Sequence, residues 1–479
     1  MTAARIPAGT VTTIDPATGD DLATYPETSE DLVEAILGRA RQTAAVWREV
    51  PVAERAETVR ALARSLRERS DELARLATAE MGKPLDQSRA EVDKCALACE
   101  WFADHGPALL DVEPVETEAQ LSQVSYSPLG VLFAIMPWNF PYWQVIRALA
   151  PALIAGNTVV LKHAPSTTGC ALLLEDVTAA ATRPGLLSVV VTGFERTPEV
   201  SERIIGDDRV AAVTLTGSTG AGRAVAAIAG RALKKTVLEL GGSDPFIVLA
   251  DADLGAAADY AVRARFQNNG QSCIAAKRII VEEPAAGEFT QRFLDGVSRL
   301  VLGDPASPGV TVGPLARADL RDAVARQVEE SVRMGARVLA GGHPVEGPGF
   351  FYQPTVLDQL TAGMPVLAEE VFGPAVPLIR ARDADDAVRL ANDTRFGLGS
   401  NIWTADVERG IALAARLEAG HTAVNGMTAS DPRLPFGGIK ESGYGRELSG
   451  HGIREFVNVH ATVAYGPHGP DSSGTITVE

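Results

Sequence analysis

The chain has 479 residues, of which 46% are apolar, and a formal net charge of −17. This length and composition predict a globular protein with two domains of roughly 200 residues each. A nucleic-acid partner is excluded, because binding a polyanion requires a basic face. No stretch reaches the roughly 18 uninterrupted apolar residues of a membrane span, so no membrane partner is predicted. The N-terminus also lacks the apolar core of a secretion signal.

Helices are predicted over residues 31–105, where apolar positions recur near the 3.6-residue period and arginine and glutamate occupy the other face. Two of the four cysteines, Cys95 and Cys99, fall in this region four residues apart. A buried helix face is favoured over a metal site for this pair, because no second pair of ligands has zinc-like spacing. The cysteines form no disulfide framework, which is typical of the reducing cytoplasm.

The pattern changes twice further along the chain. Residues 111–128 are polar, contain proline and alternate weakly, which predicts a projecting hairpin. Between residues 130 and 242, five apolar strands alternate with four helices, which is typical of a doubly wound parallel sheet. A second α/β pattern begins after residue 244, with Cys273 on the loop after its first helix. The tail, residues 460–479, begins like a strand and ends rich in glycine, proline and serine, which predicts a mobile end.

Polar residues and glycines collect where the strands of the first sheet end. Parallel α/β sheets bind ligands beyond the carboxyl ends of their strands. We therefore expect one ligand-binding rim that brings together Trp138, Asn139, Lys162, Gly193, Gly217, Ser218 and Glu239.

Three of the polar residues in these segments predict covalent chemistry on a carbonyl group. Cys273 lies in the polar segment FQNNGQSCIAAKR, where neighbouring cations would raise its thiolate fraction and make it a nucleophile; the alternative is an inert loop cysteine. Glu239 follows apolar strand residues, as suits a general base with a raised pKa, although a solvated turn glutamate has the same pattern. Asn139 offers an N–H for an oxyanion hole, or merely occupies a proline-flanked turn.

The segment LTGSTGAGR, residues 215–223, joins a strand to a helix but lacks the GxGxxG fingerprint of dinucleotide binding. Gly217, Ser218 and Gly222 would still let a pyrophosphate approach the helix N-terminus, although Gly-Ser turns are common. Lys162, at the end of an earlier strand, is suited to a ribose hydroxyl or an adenosine phosphate.

Seven motifs occur in one order along the chain. They are PWNFP (137–141), LTGS (215–218), LELGG (238–242), GQSC (270–273), EEVFGP (369–374), NDTRFGL (392–398) and PFGGIKESGYGRE (435–447). With them the chain resembles the aldehyde dehydrogenase superfamily over nearly its whole length. It is most similar to the bacterial succinate-semialdehyde dehydrogenases, through KHAP, LGGSDPF and NGQSC followed by IAAKR.

The resemblance implies an α/β fold with two doubly wound parallel-sheet domains and an oligomerisation hairpin. Residues 1–108 and 129–241 would form the dinucleotide-binding domain, and residues 242–445 the catalytic domain. Residues 109–128 would form the hairpin, and residues 446–479 a C-terminal arm whose strand crosses to a partner. A homodimer or homotetramer is implied.

The resemblance also implies roles for individual residues. Cys273 matches the nucleophile, Glu239 the general base and Asn139 the oxyanion donor, with no metal in the site. The residues that match cofactor contacts are Trp138, Lys162, Ser166, Gly217, Ser218, Glu370 and Phe372. Glu370 would hold the nicotinamide ribose, Phe372 would pack near the nicotinamide, and Trp138 would line the cofactor channel.

The implied reaction is the NAD(P)-dependent oxidation of succinate semialdehyde to succinate. Arg147 matches an arginine that contacts the substrate carboxylate, with a structural salt bridge as the alternative, and Ser430 matches a serine contact. Gln267 stands where some members carry a second arginine, so one cation is missing. A broad-specificity aldehyde dehydrogenase for other short or carboxylated aldehydes and an inactive structural or binding protein of the same fold remain the alternatives.

Cofactor choice is predicted from a position three residues after Lys162. Many NAD-preferring relatives carry a glutamate there that repels a 2′-phosphate, whereas this chain has Pro165. Lys162, His163 and Ser166 remain nearby, so we expect NADP to be accepted alongside NAD and to be the better cofactor if either is preferred.

Overall fold

The computed structural model describes residues 9–467 and 469. Residues 1–8, 468 and 470–479 lie outside the described residues. They include the end of the predicted mobile tail and the outermost residues of the predicted dinucleotide-binding domain and C-terminal arm. The α-helices are α1 (Glu30–Trp47), α2 (Val52–Glu68), α3 (Ser70–Met81), α4 (Leu85–Leu109), α5 (Trp143–Ala155), α6 (Thr168–Ala181), α7 (Thr197–Gly206), α8 (Thr219–Arg231), α9 (Leu254–Phe266), α10 (Glu283–Ser298), α11 (Ala318–Arg333), α12 (Pro365–Ala368), α13 (Ala384–Asn392), α14 (Val407–Ala414) and α15 (Ser449–Ile453).

The strands fall into two large sheets and three small ones. They are β1 (Thr10–Ile14), β2 (Asp21–Pro26), β3 (Glu113–Pro114), β4 (Leu121–Pro128), β5 (Val131–Met136), β6 (Thr158–His163), β7 (Leu187–Val190), β8 (Val210–Thr216), β9 (Lys235–Glu239), β10 (Asp244–Val248), β11 (Ala276–Glu282), β12 (Arg337–Ala340), β13 (Thr355–Asp358), β14 (Ala375–Ala381), β15 (Phe396–Gly397), β16 (Gly399–Trp403), β17 (His421–Val424), β18 (Ile439–Lys440), β19 (Gly443–Tyr444) and β20 (Val457–Ala464).

The predicted helices of residues 31–105 are confirmed as α1 to α4. The apolar faces of α2 to α4 pack with α5 and the first sheet into the largest hydrophobic core of the described chain, whereas the apolar face of α1 packs against the same sheet in a separate core. Cys95 and Cys99 are fully buried in the largest core on α4, which is the predicted helix face. A hairpin of β1 and β2 precedes α1 and is not among the predicted elements.

The first large sheet contains the five predicted parallel strands, in the order β9-β8-β5-β6-β7. Strand β19 adds to its edge, antiparallel to β9, so that Gly443 pairs with Glu239. A side chain at Gly443 would overlap the carbonyl of Leu238, and the residue has φ +106°. Glycine therefore permits this close approach. Strand β19, which belongs to the segment predicted as catalytic domain, completes the first sheet.

The second large sheet has the order β12-β13-β14-β11-β10-β16-β17, in which only the β12–β13 pair is antiparallel. Helices α9 and α10 cover one face with a core of alanine and phenylalanine side chains. Two parallel sheets with helices on their faces confirm the predicted α/β class. Cys273 follows α9, as predicted, after one turn of 3₁₀ helix (Gln267–Gly270).

The predicted hairpin is present as β3 and β4, and β20 joins it as a third antiparallel strand. All eight residues of β20 pair with β4 of the same chain, from Val457 opposite Pro128 to Ala464 opposite Leu121. The expectation that this strand crosses to a partner stays a prediction. The chain turns back through α15, whose residues contact α4 and α5, and this return brings β20 onto its own hairpin.

Candidate active site

The loop that carries Cys273 is fixed by the side chains of two asparagines in left-handed conformations. Asn268 and Asn269 have φ +54° and +58°. The Nδ2 of Asn268 donates to the carbonyls of Asn139 and Gln271, both at 2.9 Å, and Asn269 donates to Gly82 and Pro314. Asparagine tolerates this conformation better than most residues. The short polar residues of this segment therefore shape the loop and leave Cys273 half-buried at its end.

Asn139 lies beside this loop. It follows β5, is almost fully buried, and donates from Nδ2 to the carbonyl of Gln271 at 3.0 Å. Its Oδ1 accepts from Gln144 Nε2 at 3.1 Å, which fixes the orientation of the amide. One Nδ2 proton is used in the loop contact, and the second is left to donate to another group. The predicted oxyanion donor thus touches the residue two positions before Cys273.

Glu239 ends β9 and is buried at 1% exposure. Neither of its carboxylate oxygens has a hydrogen-bond donor within the described residues. Burial raises the pKa of Glu239, the carboxylate of Glu447 adds to this rise, and Arg147 opposes it. A buried carboxyl without partners is costly to ionise, so this group is suited to take up a proton near neutral pH.

Burial raises the pKa of the Cys273 thiol to about 12. The cations of Lys277 and Arg147 lower it, and the carboxylates of Glu239 and Glu370 raise it further. Neighbouring cations are present, as predicted, but desolvation outweighs them, so the thiol is mostly protonated at neutral pH. The cations act in the predicted direction, and the role of Cys273 as nucleophile stays a prediction. Because the Glu239 carboxylate raises the pKa of the Cys273 thiol, the two groups lie within electrostatic reach of each other.

Lys277 connects the cysteine loop to Glu370. Its buried ammonium donates to the carbonyl of Cys273 at 2.6 Å and lies 3.2 Å from the Glu370 carboxylate. Glu370 also accepts from the N–H of Gly242 at 3.1 Å, and a side chain at Gly241 would overlap it. The two glycines of LELGG therefore admit Glu370 to the rim next to Cys273.

Arg147 is already paired. On α5, its Nε forms a buried ion pair with Glu447, and its Nη2 donates to Thr216 Oγ1 at 3.3 Å. Its guanidinium also lies over the ring of Phe436 at 4.7 Å. The structural salt bridge, the alternative to a substrate contact, is therefore present, and the contact with a substrate carboxylate stays a prediction.

The other two predicted substrate residues differ in their surroundings. Ser430 Oγ accepts from Lys94 Nζ at 2.7 Å and from Trp143 Nε1 at 3.0 Å. Gln267 starts the 3₁₀ turn and is half-buried, and its side chain makes no hydrogen bond to the described residues. Ser430 is thus part of a polar cluster, whereas Gln267 retains its full hydrogen-bonding capacity.

The predicted cofactor residues lie at the ends of β5, β6 and β8 and on the loop after α12. Trp138 and Phe372 contact edge to face with ring centroids 5.7 Å apart, which joins two of these segments. Ser218 is the N-cap of α8 and accepts from Ala221 N–H at 3.2 Å, directly after Gly217. Gly222 faces Leu240 so closely that a side chain there would meet its methyl groups, so it permits close packing of α8, and its role in the approach of a pyrophosphate stays a prediction.

Lys162 and Ser166 have unused hydrogen-bonding groups. The ammonium of Lys162, on β6, makes no hydrogen bond or ion pair with the described residues, and burial lowers its pKa to about 8. The buried Oγ of Ser166 also has no partner there. Ser166 lines a cavity of about 860 Å³ together with Phe194 and Arg317. Both side chains fit a ligand that brings hydroxyl or anionic groups to the end of β6.

The described residues contain no cluster of three histidine, cysteine or acidic side chains that could hold a metal ion. Their helices include none that is both long and apolar enough to cross a membrane.

A comparison with protein-family models confirms the resemblance that the seven motifs indicate. The model described as the aldehyde dehydrogenase family matches residues 5–462. The chain belongs to the aldehyde dehydrogenase family.

Curated members of the aldehyde dehydrogenase family include similar proteins that carry a more specific name. The succinate semialdehyde dehydrogenase [NAD(P)+] Sad of Escherichia coli K12 is 48% identical, over 95% of this chain and 97% of its own length. The succinate-semialdehyde dehydrogenase [NADP(+)] 1 of Mycobacterium bovis BCG is 47% identical, over 94% of this chain and 98% of its own. A solved succinic semialdehyde dehydrogenase from Streptococcus pyogenes, in complex with NADP+, superposes with a TM-score of 0.92 at 35% identity and covers 95% of this chain and 100% of its own.

Three charged residues of this aldehyde dehydrogenase site are not among the predicted ones: Lys277, Glu447 and Lys94. Glu447 ends the motif PFGGIKESGYGRE, so its position was the signal that could have revealed it. Lys277 lies four residues after Cys273. No sequence pattern marks Lys94 as a site residue, because a single lysine on an amphipathic helix is ordinarily solvated.

Proposed function

We propose that this aldehyde dehydrogenase oxidises succinate semialdehyde to succinate with NADP or NAD. The observation that carries the chemistry is the convergence at Cys273. Asn139 is hydrogen-bonded to the loop that carries Cys273, and the charge of Glu239 raises the pKa of the Cys273 thiol. The substrate assignment rests on the 46–48% identity to enzymes named for this aldehyde.

In the proposed first step, the sulfur of Cys273 bonds to the aldehyde carbon. The charge that develops on oxygen is stabilised by Asn139 Nδ2 and the backbone N–H of Cys273, and one such donor contributes roughly 10²–10³ in rate. The thiolate is a minor species in the ligand-free protein, but it is intrinsically a strong nucleophile.

The cofactor would be held by the seven predicted contact residues, Lys162, Ser166, Gly217, Ser218, Glu370, Phe372 and Trp138. The free polar groups of Lys162 and Ser166 support this assignment. When bound, NAD(P)+ supplies the hydride acceptor that converts the thiohemiacetal on Cys273 to a thioester. In the remaining step, Glu239 takes a proton from water, which attacks the thioester and releases the acid. Dividing the reaction into oxidation and hydrolysis is the advantage of covalent catalysis.

The proposed substrate contacts are Arg147, Gln267 and Ser430. Hydrogen bonds to a charged group contribute roughly 1.5–3 kcal/mol, so a carboxylated aldehyde gains from a cation at the far end of the pocket. The uncharged Gln267 can donate to a carboxylate without neutralising it. Pro165 removes the carboxylate that repels a 2′-phosphate in NAD-preferring relatives, which supports acceptance of NADP.

We also propose that the enzyme acts in the cytoplasm as a homodimer or homotetramer. The four free cysteines support a reducing compartment. The exposed side chains Leu121, Val459 and Val463 of the three-stranded sheet support burial against another subunit.

The decisive experiment measures kcat/KM for succinate semialdehyde and for butanal, an uncharged aldehyde with the same number of carbons, with each cofactor. We expect at least a tenfold preference for succinate semialdehyde. Equal values would favour a broad-specificity aldehyde dehydrogenase, and no cofactor reduction with any aldehyde would favour an inactive member of the fold. Cys273→Ala should abolish turnover while cofactor binding survives, and near-normal activity of this variant would contradict the mechanism.

A further inference from the structure

We propose that Lys94 is the cation that binds the substrate's far carboxylate, next to Ser430. The inference rests on the proposed function, because it assigns a specificity residue to the pocket for succinate semialdehyde. Gln267 stands where some family members carry a second arginine, so this chain lacks one positive charge that could neutralise the carboxylate.

The contacts of Lys94 hold its ammonium at a predicted substrate residue. Lys94 projects from α4, and its Nζ donates to Ser430 Oγ at 2.7 Å. The Nζ also lies 4.3 Å from the ring centroid of Trp143, whose Nε1 donates to the same Ser430 oxygen at 3.0 Å. The ring and the hydroxyl fix the ammonium in one position, as a recognition site requires.

The charge of Lys94 is not compensated by a direct partner. No carboxylate oxygen of the described residues lies within 4.0 Å of its Nζ. Burial and the charge of Arg147 lower the pKa of Lys94 to about 8, against the opposing effects of Cys95, Glu91 and Asp431. Asp431 is itself held by Arg433 at 2.6 Å. A largely desolvated ammonium of this kind favours the binding of an anion.

Arg147 relates Lys94 to the reacting centre. Its Nη2 donates to Thr216 Oγ1 at 3.3 Å, and Thr216 pairs with Glu239 across β8 and β9. Arg147 and Trp143 are four residues apart on α5 and therefore share one face of that helix. Arg147 is paired with Glu447, so Lys94 adds a positive charge without a direct anionic partner beside the proposed contact Arg147.

The test compares kcat/KM for succinate semialdehyde and butanal in the wild type and in Lys94→Gln. We expect the variant to lose at least tenfold on succinate semialdehyde through a higher KM, with butanal changed less than twofold. Lys94→Arg, which keeps the charge, should recover part of the loss. Arg89→Gln is the matched control, because it removes a positive charge from the exposed face of the same helix, where Arg89 pairs with Asp71.

The outcomes separate the two proposals. A wild type that does not prefer succinate semialdehyde to butanal overturns the proposed function, and this inference with it. A wild type that has the preference and a Lys94→Gln variant that keeps it overturns the role of Lys94 alone. Butanal turnover reports whether each variant is folded. If Lys94→Gln loses both activities, Lys94→Met is measured the same way, and equal losses on both aldehydes with that variant also overturn the role.

Discussion

At the scale of single residues, the candidate site is a set of buried charges whose pairing decides which ones are available for chemistry. Lys277 is compensated by Glu370, and Arg147 by Glu447. Glu239 lacks a donor to either oxygen within the described part of the chain. An unpaired buried carboxyl is unstable as an ion, and the same property makes it a competent proton acceptor.

Glu239→Gln is expected to separate the two halves of the reaction. Acylation of Cys273 does not require the carboxylate in the proposed mechanism, so a burst of reduced cofactor close to one equivalent should remain. Later turnover should fall by at least about 100-fold, the lower end of the range for a general base. Stopped-flow absorbance measures both phases. Loss of the burst, with cofactor binding intact, would assign Glu239 to the first step instead.

The pKa of Cys273, about 12 in the ligand-free protein, also gives a pH prediction. An acid whose pKa is raised keeps its proton until the pH approaches that value, so the thiolate fraction should increase throughout the range from pH 7 to 10. Inactivation by iodoacetamide should therefore accelerate across this range without a plateau. A plateau below pH 8 would contradict the prediction; Cys273→Ala identifies any modification at other cysteines.

At the scale of elements, a buried carboxylate on α4 holds the start of α5. Glu91 Oε1 accepts from the N–H groups of Tyr142 and Trp143 at 2.8 and 2.9 Å. Its other oxygen pairs with the buried Lys83, whose ammonium lies 4.4 Å from the ring centroid of Phe140. These contacts fix the loop that follows Asn139, because free N–H groups at a helix N-terminus require acceptors.

Glu91→Ala should therefore lower the free energy of unfolding by about 3–5 kcal/mol, the cost of leaving a buried charge without its partner. Glu100→Ala is the control on the same helix. Glu100 pairs with Arg67 at the surface, and such a pair contributes about 0–1 kcal/mol. Urea unfolding followed by circular dichroism measures both variants, and equal losses would show that Glu91 has no special role.

The elements themselves were largely predictable from the sequence, whereas their pairing was not. Periodicity and the residues that break it are local signals, so α1 to α4 and the strands β6 and β9 follow directly from the sequence. Lys94 and Ser430 are 336 residues apart, and no local pattern relates them. The pairing of Arg147 with Glu447 has the same character, so the sequence left a substrate contact and a structural salt bridge open as alternatives for Arg147.

At the scale of the whole molecule, β20 joins the C-terminal end of the chain to the hairpin of β3 and β4. Eight residues of β20 pair with β4, so removing β20 would expose the backbone edge of β4. A chain that ends at residue 456 is expected to aggregate or to change its oligomeric mass. Size-exclusion chromatography with light scattering tests this against the full chain. An unchanged mass and melting temperature would show that β20 is dispensable.

The pairing of β19 with β9 has a consequence for biosynthesis. The strand that presents Glu239 gains its outer neighbour only when residues 443 and 444 have left the ribosome tunnel. At roughly 5–20 residues per second, translation reaches this point after about 20–90 s. Until then β9 remains an open sheet edge on a nascent polypeptide, and Glu239 lacks the strand that pairs with it in the folded protein. The surroundings of this buried carboxyl are therefore completed late in synthesis, after the other strands of both large sheets have been translated.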